Sequence, residues 1–122
     1  MRLTLFIIVT SQLFADLFIG YYDTMVFVYG TYILIAILSS NYLTSLNSSK
    51  ILMISIVTPL IFFITTNFGV WLIMDLYDKS LSGLIASYIA GIPFLKSLTI
   101  STILFSYTLY VLFKLIKKIS FL

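Results

Sequence analysis

The long apolar runs of this chain are almost unbroken by charge, and that leaves few folds open to it. Apart from Asp16, every ionic side chain stands at the end of such a run: Arg2, Asp23, Lys50, Asp75, Asp78, Lys79, Lys96, Lys114, Lys117 and Lys118. A water-soluble domain needs a polar exterior. A chain of 122 residues that is 61% hydrophobic and 9% charged has too little polar surface to make one. The sequence therefore predicts an integral membrane protein in contact with the lipid bilayer.

About 20 apolar residues cross a bilayer as helix, since each rises ~1.5 Å against a core of ~30 Å. Barrel strands would alternate apolar and polar residues. The runs Ile51–Val57 and Leu60–Ile64 do not alternate. The expectation is an all-α, polytopic transmembrane helical bundle in a single membrane domain covering residues 1–122. Its segments are read at about 3–20, 24–46, 51–74, 81–95 and 98–116. Asp23-Thr24 reads as the N-cap of the second segment, with a side-chain oxygen accepting from a free backbone N–H. Pro59 lies inside the third and predicts a kink. The fourth segment is bounded by Lys79 and Lys96 and closed by Pro93. It reaches only ~22 Å and reads as re-entrant or tilted. The arrangement favoured is four full crossings plus this short segment, with a thinned five-crossing bundle as the alternative.

Clustered Lys and Arg belong on the cytoplasmic side. Four crossings put Lys50 and Lys114–Lys118 there with both chain ends, and leave the Asp75–Lys79 loop outside. The start of the chain has the basic and apolar regions of a signal peptide, but no small-residue cleavage site precedes Asp16, so the first segment is expected to be retained. The expected location is the inner (plasma) membrane, crossed several times.

With no Cys and no His, the chain has no thiolate or imidazole metal ligand, no Cys nucleophile and no Ser–His dyad. Its four carboxylates are scattered. No metal site, cofactor or enzymatic activity is expected. Nor is a nucleic-acid partner, because the basic residues flank apolar segments and suit lipid headgroups.

The remaining signals are polar residues inside the apolar runs. Asp16 lies about one turn inside the outer end of segment 1, with Gln12 on the same face. A carboxylate there is costly, so it must pair, neutralise or meet water. It reads either as an interfacial structural group or as a ligand anchor. Asn67, Trp71 and Asp75 recur every four residues and share a face, with Gly69 removing bulk beside it. That pattern suits either a small-molecule pocket reached from the outer side or an interhelical bond with an interface-anchoring Trp. Tyr29 and Tyr88 are lesser ligand candidates. Gly83, Ser87 and Gly91 form a ridge of small residues for close helix packing. Packing within the chain is the favoured use of that ridge, and a homo-oligomer or membrane-protein partner face is the alternative.

Four strings, taken in order, carry a family resemblance: Ala15-Asp-Leu-Phe-Ile-Gly20, Thr24-Met-Val-Phe-Val-Tyr29, Thr66-Asn-Phe-Gly-Val-Trp71 and Gly83-Leu-Ile-Ala-Ser-Tyr-Ile-Ala-Gly-Ile-Pro-Phe94. They resemble an uncharacterised family of small bacterial integral-membrane proteins. That family is in turn similar to the S components of energy-coupling-factor transporters, six-helix subunits that bind vitamins or metal ions. The resemblance implies a further N-terminal hairpin upstream, so that Met1 falls where a third helix would begin. It also implies a substrate-binding transporter subunit, with Asp16, Asn67 and Trp71 lining the site and Tyr29 and Tyr88 near it. The reading set against it is a small helical accessory or structural subunit of a larger membrane complex, docked through Gly83, Ser87 and Gly91.

Overall fold

The structure is a computed structural model that describes residues 2–43, 45 and 47–119. These form four helices in chain order: α1 (Arg2–Ile19), α2 (Met25–Tyr42), α3 (Ser48–Ile73) and α4 (Leu81–Ile119). The architecture is all-α, as the apolar runs predict. α2, α3 and α4 are long and apolar enough to cross a membrane; the apolar part of α1, Leu5–Ile19, is shorter. The helices run as an antiparallel meander, and among the described residues each packs only on its neighbours in the chain. The α3–α4 seam is the most extensive and the α1–α2 seam the thinnest.

Local chemistry explains the corners. Gly20 follows α1 in the left-handed region (φ 84°), which an L side chain rarely adopts, and its N–H bonds the Asp16 carbonyl at 2.8 Å. Thr24 occupies the N-cap of α2, but its side chain makes no capping bond; only its carbonyl accepts, from Phe27 and Val28. Asn47 caps α3 through Oδ1, which accepts from the Ser49 N–H at 2.9 Å. At the far end of α3, Lys79 donates to the carbonyls of Trp71 (2.6 Å) and Met74 (2.8 Å), a cation placed against the negative end of the helix. The expected end of segment 2 at Leu46 lies outside the described residues.

The largest departure from expectation is in the last third of the chain. Residues 81–95 and 98–116 are not two segments; they belong to the one continuous helix α4, 39 residues long, with Pro93 inside it. Pro93 lacks the N–H that would bond the Ile89 carbonyl, a single lost bond. A break at this depth would free several backbone groups where no water reaches them, so continuity costs less. Pro93 and Lys96 therefore do not end a segment.

Two contacts set the height of Lys96. The Tyr88 hydroxyl bonds the Ile64 carbonyl at 3.0 Å, and the Tyr107 hydroxyl meets Ser48, the first residue of α3, at 3.1 Å. Lys96 lies between them, ~16 Å along α4 from the Tyr107 level, close to half the thickness of a bilayer core. Beyond Tyr107 the helix overhangs the start of α3 and carries Lys114, Lys117 and Lys118.

The interior is inverted relative to a soluble protein. The buried side chains include Asp16, Thr31, Ser55 and Ser87, with Ala36 and Ile51 as the only buried hydrophobic residues among those described. Leucine, isoleucine and phenylalanine lie outward along all four helices. Small and hydroxylated residues inside, with large apolar ones outside, is the packing of helices whose solvent is lipid.

Candidate functional site

The residues singled out in the sequence fall into two groups, on different seams. The first lies between α1 and α2. Asp16 is 7% exposed, and its carboxylate accepts from Gln12 Nε2 at 2.9 Å and from the Tyr29 hydroxyl at 2.5 Å. Gln12 is one turn away on the same helix face, and Tyr29 is delivered by the hairpin at Gly20–Thr24. Tyr22, in that hairpin, has its hydroxyl pKa raised, first by burial and then by the negative charge of Asp16. A carboxylate inside a crossing helix is disfavoured by about 2.5–3.5 kcal/mol at mid-span and less toward the ends. Two donors near the end of α1 offset that cost, so the centre stands as a satisfied structural network.

The second group lies between α3 and α4. The Asn67 side chain donates through Nδ2 to the Phe63 carbonyl at 2.8 Å. Gly91 passes so close that an added Cβ would stand 2.5 Å from Asn67 Oδ1. Ser87, 1% exposed, points its hydroxyl at the Asn67 carbonyl (3.4 Å) and bonds the Leu84 carbonyl (2.8 Å). Gly83 is pressed against the backbone of Asp78. The ridge of Gly83, Ser87 and Gly91 is thus spent on packing within the chain, and Tyr88 ties the same seam to Ile64. Trp71 is turned to the loop, where its indole N–H donates to the Asp78 carbonyl at 2.9 Å. Asp75 lies exposed beside Lys79, 4.0 Å away, a contact of little energetic weight.

Asp16, Asn67 and Trp71 do not line one pocket. Asp16 and Tyr29 meet each other, while Asn67 belongs to a groove of about 310 Å³ between α3 and α4. Phe62, Phe63 and Phe94 wall that groove, and Thr66, Asn67, Ser97 and Ser101 supply its polar edge. Thr66 and Ser101 spend their hydroxyl protons on backbone carbonyls of their own helices. Asn67 Oδ1 and the Ser97 hydroxyl have no partner among the described residues, which leaves an acceptor and a donor facing apolar walls. Ser97 and Ser101 escaped the sequence reading. Their four-residue spacing was the available signal, and it is weak in a chain rich in serine and threonine. The larger hollows at the Lys114 end are lined almost wholly by apolar side chains.

On the α2–α3 seam the hydroxyls of Thr31 and Thr65 lie 2.6 Å apart, and Phe27 covers Gly69. Gly69 therefore makes room for a neighbouring ring rather than for a ligand beside Asn67. No group of three or more His, Cys, Asp or Glu side chains gathers among the described residues.

Apolar helices with small and polar seams define a helical membrane protein. Over residues 1–121 the chain matches a family of unknown function, DUF6580, and it belongs to that family. No curated protein and no solved structure matches it.

Proposed function

We propose that this chain is a multi-pass protein of the bacterial inner (plasma) membrane that binds a small molecule between its helices, as the resemblance to S components of energy-coupling-factor transporters implies. The observation that carries the reading is the α3–α4 groove. Apolar walls with a few convergent polar groups are the usual make-up of a small-molecule site. Asn67 Oδ1 and Ser97 offer an acceptor and a donor there, and Phe62, Phe63 and Phe94 offer flat apolar contact. The positive-inside rule places the Lys50 and Lys114–Lys118 end in the cytoplasm and the 74–80 loop outside. The groove then straddles mid-membrane, with Thr66 and Asn67 on its outer side and Ser97 and Ser101 on the cytoplasmic side of Lys96. The reading is of binding rather than catalysis, because a chain without Cys or His offers neither a Cys nucleophile nor a Ser–His pair.

A melting screen of vitamin-like compounds and metal ions on the detergent-solubilised protein tests this. A ligand at 100 times its dissociation constant stabilises by about 2.7 kcal/mol, well within reach of such a screen. The shift should vanish in Asn67→Ala and Ser97→Ala and persist in Tyr29→Phe. A shift lost in Asp16→Asn but kept in Asn67→Ala would move the site to the α1–α2 seam and refute the groove. The accessory-subunit reading loses its first docking face, since Gly83, Ser87 and Gly91 are buried against α3 and its loop.

A further inference from the structure

α4 carries an ammonium group at mid-height that no side chain among the described residues answers. Lys96 is exposed and has no hydrogen bond, ion pair or aromatic ring contact among the described residues. Its four-carbon stem reaches ~6 Å, well short of the ~16 Å to the Tyr107 level, so extension along the helix leaves the charge deep in the apolar layer. Ionisable groups at such depth pair with one another or face water.

The surroundings of Lys96 favour pairing. Ile85, Ile89, Ile92, Lys96 and Ile100 follow each other at spacings of four, three, four and four, which puts them in one stripe along α4. The four isoleucines are 50%, 61%, 54% and 51% exposed. A β-branched apolar stripe interrupted by one polar residue is how helix pairs set register and partner choice.

We propose that this stripe is the docking surface for a transmembrane helix of a different protein, one that carries a carboxylate at the middle of its span. A second copy of this chain could not supply that group. Asp16, Asp23, Asp75 and Asp78 all lie toward the end of the bundle bearing the 20–24 and 74–80 turns, and Asp16 is already engaged by Gln12 and Tyr29. No parallel or inverted copy brings a carboxylate to the level of Lys96.

The test uses the full chain reconstituted in phosphatidylcholine vesicles. With no native Cys, one cysteine placed at Ser49 takes an energy-transfer acceptor. The probes are leucine-rich helices of about 20 residues carrying a donor and one Asp at the centre, one Asp a turn from the end, or no Asp. The central-Asp helix should bind about tenfold more tightly than the other two. Lys96→Leu should erase that preference, and Lys96→Arg should keep it. Equal binding of all three helices, or a preference that survives Lys96→Leu, would overturn the proposal. So would rapid reaction of Lys96→Cys with a charged thiol reagent in the same vesicles, because Lys96 would then face water and need no partner.

Discussion

Replacing Gly91 by alanine should loosen the α3–α4 seam, and the structure allows the size of the effect to be worked out. An alanine Cβ there would stand 2.5 Å from Asn67 Oδ1, 2.8 Å from Asn67 Nδ2 and 2.8 Å from Phe63 Cε2. The Asn67 amide can turn away only by giving up its 2.8 Å bond to the Phe63 carbonyl. The Phe63 ring is held against Tyr88, with centroids 5.5 Å apart. Overpacking of this kind costs about 1–3 kcal/mol. Alanine returns about 1 kcal/mol in helix propensity, so the net loss should be about 0–2 kcal/mol. Gly30, on α2, supplies the control, because an added Cβ there meets nothing within 4 Å. Gly30→Ala should be neutral or gain up to about 1 kcal/mol. Denaturant titration in mixed micelles, followed by helical circular dichroism, would measure both. A Gly91→Ala protein as stable as Gly30→Ala would refute the close approach of α4 to Asn67. Restored stability in Gly91→Ala with Asn67→Ala would confirm which side chain is in the way.

Asp16→Ala should cost about 1–3 kcal/mol by stranding the Tyr29 hydroxyl and the Gln12 amide; a double-mutant cycle with Tyr29→Phe should show a coupling of about 0.6–1.7 kcal/mol, and zero coupling would disprove the bond. Gly83→Ala presses on the Asp78 backbone that receives the indole of Trp71, the sole tryptophan; its fluorescence should change in this variant and stay as in the wild type in Gly30→Ala. The Tyr22 hydroxyl is held above its usual pKa of 10.0, so the fold favours its neutral form. Its contribution to stability should be complete below about pH 10 and lost as pH rises toward the folded value. Tyr22→Phe should flatten that alkaline decline, and an unchanged slope would count against burial of the hydroxyl beside Asp16.

Charge placement and run length were enough to read the all-α class and three of the helices from sequence. The expected segments at 3–20, 24–46 and 51–74 overlap α1, α2 and α3, although α2 closes at Tyr42 and α3 opens at Ser48. Pro59 reads as an interior proline because uncharged residues flank it. Pro93 reads as a stop because Lys96 follows it, and a lysine at mid-membrane is costly enough to look like a boundary. Local sequence cannot say that backbone continuity outweighs that cost. Gln12 beside Asp16 was legible from helical spacing, but the bond from Tyr29 needed the hairpin geometry. The shared face of Asn67 and Trp71 was likewise sound as periodicity. It failed as a pocket because the 74–80 loop folds back and offers the indole a carbonyl of its own chain.

In this meander, contact follows chain order, so folding never has to close a large loop. Each helix finds its partner across a connection of a few residues, which is the low-contact-order regime where the entropic cost of association is smallest. The order of synthesis runs against the order of cohesion. α1 and α2 are made before the other two and share the thinnest seam, while the later hairpin of α3 and α4 holds the most contact. The early helices must wait in the bilayer for the late pair, with the Asp16 network as their main mutual polar tie until α3 offers Thr65 to Thr31.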